Sequence, residues 1–588
     1  MCLNFAAIVH RPTEDDIHPS GRDALTIDLT TARGDFQNVY LLYWPRYEND
    51  AKKRKKIKMK IALQDAYRDY YRSKILTEDI SAYTRYCFRM ESDQGTVWYG
   101  SRGFETSEPG MQENFFEFLW PNPTDCDQAP AWAKDQIYYQ IFPERFFSGD
   151  PSITPANSVP WGAAPTRENF MGGDLRGIIE KLDYIQALGV TCIYLTPIFK
   201  APSNHKYDTV DYYEIDPAFG TKEDLRELVA EIHRRGMRLL LDGVFNHCGF
   251  YWPYFQDVIA KGKQSDYCDW FFPHSFPVTT EPCNYDCVGH YKWMPKINLA
   301  NPEAERYFIS VGEYWIREFA IDGWRLDVAD EIPTAFWTAF STALRRLNPE
   351  ILLLGETWGD ARRLVSGDRL DTAMNYLFRD IVCDWLAKDG VLPSWVDHRI
   401  NRMLALYTEE VDLRMYNLLD SHDTARFRYL CKNKERHKLA VALQMTFPGC
   451  PAVYYGDEVG LSGDNDPGCR MAMEWDEQRQ DQELLAWYKM LIQIRSQSPS
   501  LRYGQYRTAF YDDIANVFAF YRIHESEMSL IVLNAGEKPY PVTLGEGVWQ
   551  ERIAQPDTDC TTGISPDQTT ELAACSVGIY QKKVKVQK

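Results

Sequence analysis

The sequence lacks any apolar run long enough to cross a membrane. Its 588 residues contain no stretch of about 18 consecutive apolar residues, the minimum for a spanning helix. The N-terminus, MCLNFAAIVHRPTEDD, has no basic stretch leading into a long apolar run. We therefore expect neither a membrane span nor a signal peptide.

The sequence also lacks a disulfide framework. Its 14 cysteines are scattered between Cys2 and Cys575, whereas disulfide-built domains are short and dense in cysteine. The closest group is Cys283, Cys287 and His290. It has no second pair of metal-ligating residues nearby, which favours free thiols in a loop over zinc. We expect a reducing, cytoplasmic compartment.

A net positive charge is missing as well. Against 65 Lys and Arg stand 84 Asp and Glu, a formal charge of −19, which argues against nucleic acid as a partner because phosphate binding needs a basic surface. One basic stretch, AKKRKKIKMK at 51–60, is either an anion-binding patch or a solvated loop or edge strand protected by lysines, and we favour the loop or edge strand. Aromatic residues are abundant, at 14%.

The order of the patterns predicts a multidomain protein. Residues 1–125 alternate like β-strands, which indicates an N-terminal β-sandwich, and the Pro-rich segment 121–130 indicates a linker. Residues 126–503 alternate apolar strands with helical patterns, which predicts a central (β/α)8 TIM barrel with an inserted subdomain at about 246–302. Residues 504–588 predict a C-terminal all-β domain. The eight barrel strands are expected at 136–142, 191–199, 238–245, 323–329, 351–357, 372–378, 414–420 and 451–458.

Polar clusters stand at the ends of four of these predicted strands. The clusters are Asp242, Asn246 and His247 at the third strand, Arg325 and Asp327 at the fourth, Glu356 and Trp358 at the fifth, and His422 and Asp423 at the seventh. A single acid at a strand end is commonly a helix N-cap. Four clusters on the carboxyl-terminal rim of a TIM barrel predict an active site.

The fourth strand suggests the chemistry. Because side chains alternate along a strand, Arg325 and Asp327 should point into the barrel while Trp324 faces the helices. Arg325 should then lower the pKa of Asp327 and keep it ionised, as a carboxylate nucleophile requires. Glu356 follows an apolar run and neighbours Trp358, which should raise its pKa and suit a general acid. Such a pair performs glycoside hydrolysis; the alternative is a buried ion pair with a capping Glu.

These motifs resemble the α-amylase superfamily, glycoside hydrolase family 13. DGVFNH, GWRLDVADE, GETW and LLDSHD match four signature regions of that family in order and spacing, and KYDTVDYYEIDPAFG at 206–220 matches another. MPKIN at 294–298, together with the N-terminal β-sandwich, is similar to one subgroup, the neopullulanases, cyclomaltodextrinases and maltogenic amylases. The resemblance covers nearly the whole chain.

The resemblance implies a role for each matched residue. Asp327 is implied to be the nucleophile, Glu356 the general acid/base, and Asp423 the third carboxylate, which holds hydroxyls of the distorted sugar. The residues implied to bind or position the substrate are Tyr207, Asp208, Asp242, His247, Arg325, Trp358, His422, Asp466 and Arg470.

The activity implied is retaining hydrolysis of α-1,4-glucosidic bonds. Its substrates would be cyclomaltodextrins and short maltooligosaccharides, with pullulan or starch as further candidates and some transglycosylation. A glucanotransferase or isomerase, or an α-1,6-cleaving glucosidase, on the same scaffold stays open. A non-catalytic glycan-binding relative is disfavoured because all three carboxylates are present. The resemblance also implies a homodimer, and the chemistry itself requires no cofactor.

The sequence departs from the subgroup at two places. Asp330 stands where the subgroup usually has Asn, which bears on the preference for α-1,4 or α-1,6 bonds and on transfer against hydrolysis. For a structural calcium ion, Asp150, Gly172 and Asp174 are the candidate ligands. Ile153 and Thr154 stand where the subgroup has acid or amide ligands, which argues against a complete site.

Overall fold

The computed structural model describes most of the chain, and the described residues form two compact units. The described residues are 3–78, 80–119, 126–365, 367–553 and 569–584. The units are 1–128 with 366–368 and 393–409, and 129–365 with 369–392 and 410–588. The first half of the predicted linker, 121–125, lies outside the described residues.

The first unit is a sandwich of two antiparallel sheets. Alternate apolar side chains from both sheets, such as Leu25, Ile27, Leu41 and Phe88, form its buried core. One sheet has the strand order Ile17–Gly21, Ala24–Ala32, Arg68–Leu76, Lys60–Gln64. The other has the order Lys55–Lys58, Asn38–Pro45, Thr84–Ser92, Gly95–Gly100, Gly103–Glu105, with Phe116–Phe118 also pairing with Thr84–Ser92.

The basic stretch 51–60 contains one edge strand and the first residue of another. Lys55–Lys58 is outermost in one sheet and Lys60–Gln64 is outermost in the other. Lys55 is exposed and pairs with Glu78 at 3.0 Å. Charged side chains on an edge strand discourage pairing with strands of other molecules. Of the two favoured forms, a solvated loop or an edge strand, the structure shows the edge strand at Lys55–Lys58.

The second unit contains a ring of eight parallel strands, here called barrel strands 1 to 8. They are Tyr138–Ile141, Cys192–Leu195, Arg238–Gly243, Gly323–Leu326, Leu352–Gly355, Thr372–Ala373, Tyr416–Leu418 and Cys450–Tyr454. Neighbours pair in the order 6-5-4-3-2-1-8-7, and a parallel bridge between Met374 and Tyr416 joins the segments of strands 6 and 7. The predicted TIM barrel is confirmed, with all eight strands in place.

Helices lie between and after the barrel strands along the sequence, and one of them, Pro393–Leu404, belongs to the first unit. The helix Pro302–Phe319 illustrates why they form: Asn301 accepts the amides of Glu303 and Ala304, Pro302 occupies the first turn, and Trp315 is among its buried side chains. The helices are Leu175–Glu180, Leu182–Leu188, Lys222–Arg234, Pro253–Lys261, Pro302–Phe319, Thr334–Leu347, Tyr376–Val382, Pro393–Leu404, Glu409–Asp412, Phe427–Cys431, Lys434–Thr446, Gln482–Ser496 and Pro499–Tyr503. No helix in the described ranges is both long and apolar enough to cross a membrane.

All eight barrel strands are shorter than predicted, and the local cause is visible in two of them. Strand 4 ends at Leu326 because Val328 adopts a left-handed backbone, with φ of 46°. Strand 6 covers only Thr372–Ala373 because the Asn375 side chain accepts the amide of Phe378 and starts a helix. The ranges 323–329 and 372–378 were therefore too long.

Between strand 3 and the helix Pro302–Phe319 lies a small subdomain. It contains the helix Pro253–Lys261 and irregular chain, and an antiparallel bridge between His247 and Lys296 connects its last segment to the chain after strand 3. After strand 2, Phe199–Lys200 pairs with Asp211–Ile215.

The second unit ends in an antiparallel β-domain, as predicted. Its five-stranded sheet has the order Gln505–Asp512, Val517–Ile523, Glu527–Asn534, Ser576–Lys583, Gln550–Glu551. A two-stranded sheet is formed by Tyr540–Thr543 and Thr569–Leu572. The side chains of Val532, Val542 and Trp549 are among those buried between them.

Candidate active site

Strand register brings four charged side chains together at the carboxyl end of the barrel. Asp242 on strand 3 lies opposite Arg325 on strand 4, and Leu326 lies opposite Gly355 on strand 5. Asp327 and Glu356, the next residues, therefore leave the sheet side by side. Outside the barrel, Trp324 packs on Phe245, with ring centroids 5.7 Å apart. The predicted alternation of strand 4 is thus observed.

Arg325 pairs with all three carboxyl groups. Its Nη1 lies 2.7 Å from Oδ1 of Asp327 and 3.0 Å from Oδ2 of Asp242, and its Nη2 lies 2.7 Å from Oε2 of Glu356. The same oxygen of Glu356 accepts the amide of Val328 at 3.0 Å. The Arg325 side chain has no exposed surface. The expected apolar setting of Glu356 was wrong, because the second guanidinium nitrogen reaches it.

Burial has the largest effect on the pKa values of Asp242 and Asp327. It raises the pKa of Asp327 well above its ordinary value, although Arg325 acts in the opposite direction. It also raises the pKa of Asp242 to about 6. Arg325 lowers the pKa of Asp327 as expected, but burial outweighs it, and the neighbouring carboxyls of Glu356 and Asp242 add to the rise, so the expected net lowering is not found.

A second group joins Tyr207, His422 and Asp423. The Tyr207 hydroxyl donates to Oδ2 of Asp242 at 2.9 Å and lies 2.6 Å from Nε2 of His422. The Tyr207 and His422 rings are stacked, with centroids 5.3 Å apart, and His422 Nε2 lies 3.0 Å from Oδ2 of Asp423. Burial, helped by Arg470, holds the pKa of His422 well below its usual range. His422 is therefore neutral.

Arg470 connects the third carboxylate to the rim. Its Nη2 donates to Oδ1 of Asp423 at 3.2 Å, its Nε donates to the His422 carbonyl at 2.9 Å, and its Nη1 pairs with Asp466 at 3.0 Å. The Asp423 side chain is 31% exposed. The predicted pair Asp466 and Arg470 thus adjoins the most open of the three predicted carboxylates.

His247 faces Asp327 without bonding to it. Its Nε2 lies 3.9 Å from Oδ2 of Asp327, too far for a hydrogen bond. Burial lowers the pKa of His247 to about 3. Among the described residues neither of its ring nitrogens has a hydrogen-bond partner, and the same holds for the side-chain amide of the buried neighbour Asn246. Buried polar atoms without partners call for an explanation, and a bound hydroxyl-rich ligand supplies one.

Asp208 and Trp358 flank these groups. Asp208 accepts a hydrogen bond from the Ser203 hydroxyl. Trp358 is 50% exposed and stacks on Tyr376, with ring centroids 4.1 Å apart and planes at 11°. Its position offers an open aromatic face beside strand 6.

Sequence reasoning missed two residues of this network. Tyr194 donates its hydroxyl to Oδ2 of Asp242 at 2.6 Å, and Nε2 of Gln140 lies 2.6 Å from Nδ1 of His422. Both were counted only as parts of strands 1 and 2. The available signal was a polar side chain inside an otherwise apolar strand, as in QIYYQIF.

The predicted calcium ligands do not form a fitting donor set. The Asp174 carboxylate is buried and accepts the backbone amides of Gly149, Asp150 and Gly177. The Asp150 carboxylate accepts the amide and hydroxyl of Ser152. Protein donors therefore occupy both oxygens of Asp174 and Oδ1 of Asp150, which a cation would need as ligands. No cluster of three acid, histidine or cysteine side chains in the described residues could hold a metal ion.

Comparison with known proteins agrees with this architecture. The chain matches the family model described as alpha amylase, catalytic domain, over residues 140–504. It matches alpha amylase, N-terminal ig-like domain, over residues 1–122. A solved cyclomaltodextrinase structure superposes with a TM-score of 0.92 at 36% identity, covering 98% of this chain and 100% of that one.

Similar proteins extend over nearly the full length. The chain is 42% identical over 556 residues to a cyclomaltodextrinase of Geobacillus thermopakistaniensis, covering 92% of this chain and 94% of that protein. It is 40% identical over 555 residues to an intracellular maltogenic amylase of Bacillus subtilis, covering 92% and 93%. It is 40% identical over 541 residues to neopullulanase 2 of Thermoactinomyces vulgaris, covering 90% and 91%. The chain therefore belongs to the α-amylase family of glycoside hydrolases, in the subgroup of cyclomaltodextrinases, maltogenic amylases and neopullulanases.

Proposed function

We propose that this glycoside hydrolase cleaves α-1,4-glucosidic bonds of cyclomaltodextrins and short maltooligosaccharides with retention of configuration. One observation carries the proposal: a single buried guanidinium, that of Arg325, pairs with both Asp327 and Glu356 on the barrel rim. Retaining glycosidases need two carboxyl groups roughly 5–5.5 Å apart. The two nitrogens of one guanidinium can hold a pair at such a spacing.

The contacts suggest which oxygen atoms react. Arg325 occupies Oδ1 of Asp327, which leaves Oδ2 to attack the anomeric carbon. Arg325 and the Val328 amide both occupy Oε2 of Glu356, which leaves Oε1 to protonate the glycosidic oxygen. The C–O bond to the leaving sugar breaks as the glycosyl–aspartate ester forms. Glu356 then takes a proton from water, which attacks the ester and frees Asp327.

The charge balance of the site favours this reaction. Positive charge develops at the anomeric carbon in an oxocarbenium-like transition state. While Glu356 carries the proton that it donates, the ionised forms of Asp242 and Asp327 still outnumber the single cation Arg325 in a buried setting, where charge interactions are strong. Both His247 and His422 stay neutral because burial lowers their pKa values, so neither opposes that charge.

The remaining site residues bind the sugar in this proposal. Tyr207 provides the aromatic face for the sugar at the cleavage point, and Asp423 with Arg470 accepts and donates hydrogen bonds to its hydroxyls. The unpartnered ring of His247 completes the set. Trp358 lines the side on which the acceptor, water or sugar, arrives. The proposed chemistry uses no cofactor.

Asp330 is proposed to influence the choice of acceptor. The Thr357 hydroxyl donates to Oδ2 of Asp330 at 2.9 Å, which ties the loop after strand 4 to the residue that follows Glu356. A charge at this place bears on whether water or a sugar intercepts the intermediate. Transglycosylation, and cleavage of α-1,6 bonds, are the activities that it would alter.

Cytoplasmic location and a homodimer complete the proposal. A similar protein of Bacillus subtilis is named intracellular maltogenic amylase, and the cysteines of the described residues are free thiols, as suits a reducing compartment. The dimer rests on the family resemblance. Sedimentation that shows only a monomer at micromolar concentration would contradict it.

Substrate profiling tests the proposed activity. Initial rates on β-cyclodextrin, pullulan and starch should be compared, with product analysis and NMR of the first-formed anomer. We expect the highest rate on β-cyclodextrin, the α-anomer first, and panose from pullulan, which marks α-1,4 cleavage. Maltotriose from pullulan, which marks α-1,6 cleavage, or β-anomers as the first products, would contradict the proposal.

A further inference from the structure

Gln140 is a buried amide whose partner is a histidine of the candidate active site. It lies on barrel strand 1 among apolar and aromatic side chains and is fully buried. Its Nε2 is 2.6 Å from Nδ1 of His422, in the segment after strand 7. Neither the sequence motifs nor the family resemblance stated above assigns Gln140 a role.

The hydrogen bonds around His422 run in one direction. Arg325 pairs with Asp242, so Asp242 is an acceptor, and the Tyr207 hydroxyl donates to it. The Tyr207 oxygen is then the acceptor toward Nε2 of His422, and Oδ2 of Asp423 also accepts there. The proton of His422 must therefore sit on Nε2. A neutral imidazole carries one proton, so its Nδ1 needs a donor, which the Gln140 amide provides.

We infer that Gln140 is a positioning residue that fixes His422 as the neutral tautomer protonated at Nε2. In this form His422 presents an N–H to Asp423 and to a sugar hydroxyl at the cleavage point. With the proton on Nδ1, the Nε2 lone pair would face the Asp423 carboxylate at 3.0 Å. The effect on catalysis rests on the proposed function, whereas the tautomer does not.

The charged groups that face His422 act on its total charge or on Nε2, so Gln140 is the group that acts on Nδ1. Arg470 and Arg325 disfavour a second proton on the ring, and Glu356 favours one. Asp423 and the Tyr207–Asp242 pair both act on Nε2. The Phe142 ring, with its centroid 6.4 Å from that of His422, adds no charge. Gln140 is the side chain hydrogen-bonded to Nδ1.

Two substitutions separate positioning from packing. Gln140→Met keeps the length of the side chain and removes the donor, so kcat/KM on a chromogenic maltooligosaccharide should fall about tenfold, the usual effect of a lost buried hydrogen bond. Gln140→Glu replaces the donor with an acceptor. In this variant a cationic His422 carries a proton on each ring nitrogen. When the ring loses one proton as pH rises, the remaining proton stays on Nδ1, where the new carboxylate accepts it, and Nε2 is left unprotonated. Gln140→Glu should therefore gain an alkaline limb in its pH profile, with kcat/KM falling as pH rises.

Gln136 supplies the matched control. Its Nε2 donates to the Trp132 carbonyl at the opposite end of strand 1. Gln136→Met and Gln136→Glu should leave kcat/KM and its pH profile like those of the wild type. If Gln140→Glu shows no new alkaline limb, or if the Gln136 variants show the same one, the inference is overturned.

Nitrogen-15 NMR of the histidine-labelled full chain tests the tautomer directly. The chain has 11 histidines, and the signals missing from the His422→Asn variant identify His422. We expect a protonated Nε2 and an unprotonated Nδ1 in the wild type, and an altered pattern in Gln140→Glu. A wild-type proton on Nδ1 would refute the inference whatever the activity. If the wild type hydrolyses no α-glucan, the proposed function fails, while this spectrum still decides the role of Gln140.

Discussion

Two clusters of buried acids lie at the carboxyl end of the same barrel, and only one has the features of an active site. The Arg325 cluster consists of Asp242, Asp327, Glu356 and Arg325. The Arg426 cluster consists of Asp420, Asp457, Glu458 and Arg426. In the second cluster, Arg426 donates to Asp457 at 2.8 Å. Burial raises the pKa of Asp457 well above its ordinary value, and Asp457 hydrogen-bonds Asp420.

The clusters differ in the source of their hydrogen bonds. Oε1 of Glu458 accepts the hydroxyls of Tyr139 and Tyr184 at 2.7 and 2.8 Å, and its Oε2 accepts the Gly456 amide at 2.8 Å. The Arg325 cluster instead faces His247, whose ring lacks a protein partner within the described ranges. Unpartnered atoms alone do not separate the clusters, because Oδ1 of Asp420 and Nη2 of Arg426 also lack a partner among the described residues. What separates them is access: the Arg325 cluster adjoins Asp423, whose side chain is 31% exposed, whereas Asp420, Asp457 and Glu458 are all buried.

The largest expected effect is on turnover. Asp327→Asn should lower kcat by at least about 10⁴-fold, because an amide cannot form the glycosyl ester. Asp457→Asn is the matched change in the other cluster, where an amide can still accept from Arg426 and donate to Asp420. Its kcat should stay within about tenfold of the wild type. Steady-state kinetics with circular dichroism as a folding control checks both, and full activity of Asp327→Asn would refute the assignment of the nucleophile.

The second effect depends on the leaving group. Glu356→Gln should lower kcat/KM on maltooligosaccharides by about 10²–10⁴-fold, the usual contribution of general acid–base catalysis. A maltosyl fluoride needs no proton on its leaving group, so its cleavage should suffer much less. Glu458→Gln should show no such dependence on the leaving group. If Glu356→Gln lost kcat/KM equally on maltooligosaccharides and on the maltosyl fluoride, Glu356 would not be the general acid.

The third effect is on stability and belongs to the other cluster. Arg426→Met leaves buried carboxyls without their cation, and breaking a buried pair costs about 3–5 kcal/mol. Urea unfolding should show that loss, while the kcat of the folded fraction stays near that of the wild type. If Arg426→Met lost activity and kept its stability, the Arg426 cluster would be functional and not structural, which would contradict the comparison.

The smallest effect is the pH dependence of the Arg325 cluster. The pKa of Asp242 is raised from 3.8 to about 6, and that of Asp327 is raised as well. Activity should therefore fall as pH drops toward 6 and below, by about tenfold per pH unit for one essential proton. The free energy of unfolding changes with pH in the opposite direction and rises as pH drops. The reason is that the folded state binds more protons than the unfolded state between pH 3.8 and about 6.

A pH profile of kcat/KM, measured beside the urea midpoint, checks both signs. The contribution of Asp242 to stability is present below its unfolded pKa and is lost as pH rises through about 6. An acid limb at the pKa of an exposed aspartate, about 3.9, would contradict the effect of burial.

The strands and the charged rim could be predicted from the sequence because each depends on local pattern. Apolar runs such as ILLLG mark barrel strands, and alternation placed Arg325 inside the barrel before any contact was known. The predicted length of strand 6 was wrong because Asn375 caps the next helix and ends the strand after Thr372–Ala373. That cap could have been considered, since Asn is favoured at the start of a helix.

The sharing of Arg325 could not be predicted in the same way. That Glu356 receives the second nitrogen of Arg325 follows from the register of strands 4 and 5, which the sequence of neither strand specifies. The net pKa of Asp327 was predicted in the wrong direction because the prediction counted Arg325 and left out burial, which outweighs it. The Arg426 cluster was missed because its acids come from separate segments, with Asp457 and Glu458 taken only as the end of strand 8.

Trapping the covalent intermediate tests the central claim most directly. A fluorinated maltosyl fluoride slows the second step more than the first, so the glycosyl–enzyme should accumulate, and peptide mass spectrometry can locate it. The account predicts one added sugar moiety on the peptide that contains Asp327, and none on the peptide that contains Asp457. A sugar attached elsewhere, or turnover of the reagent to the inverted anomer with no adduct, would contradict it.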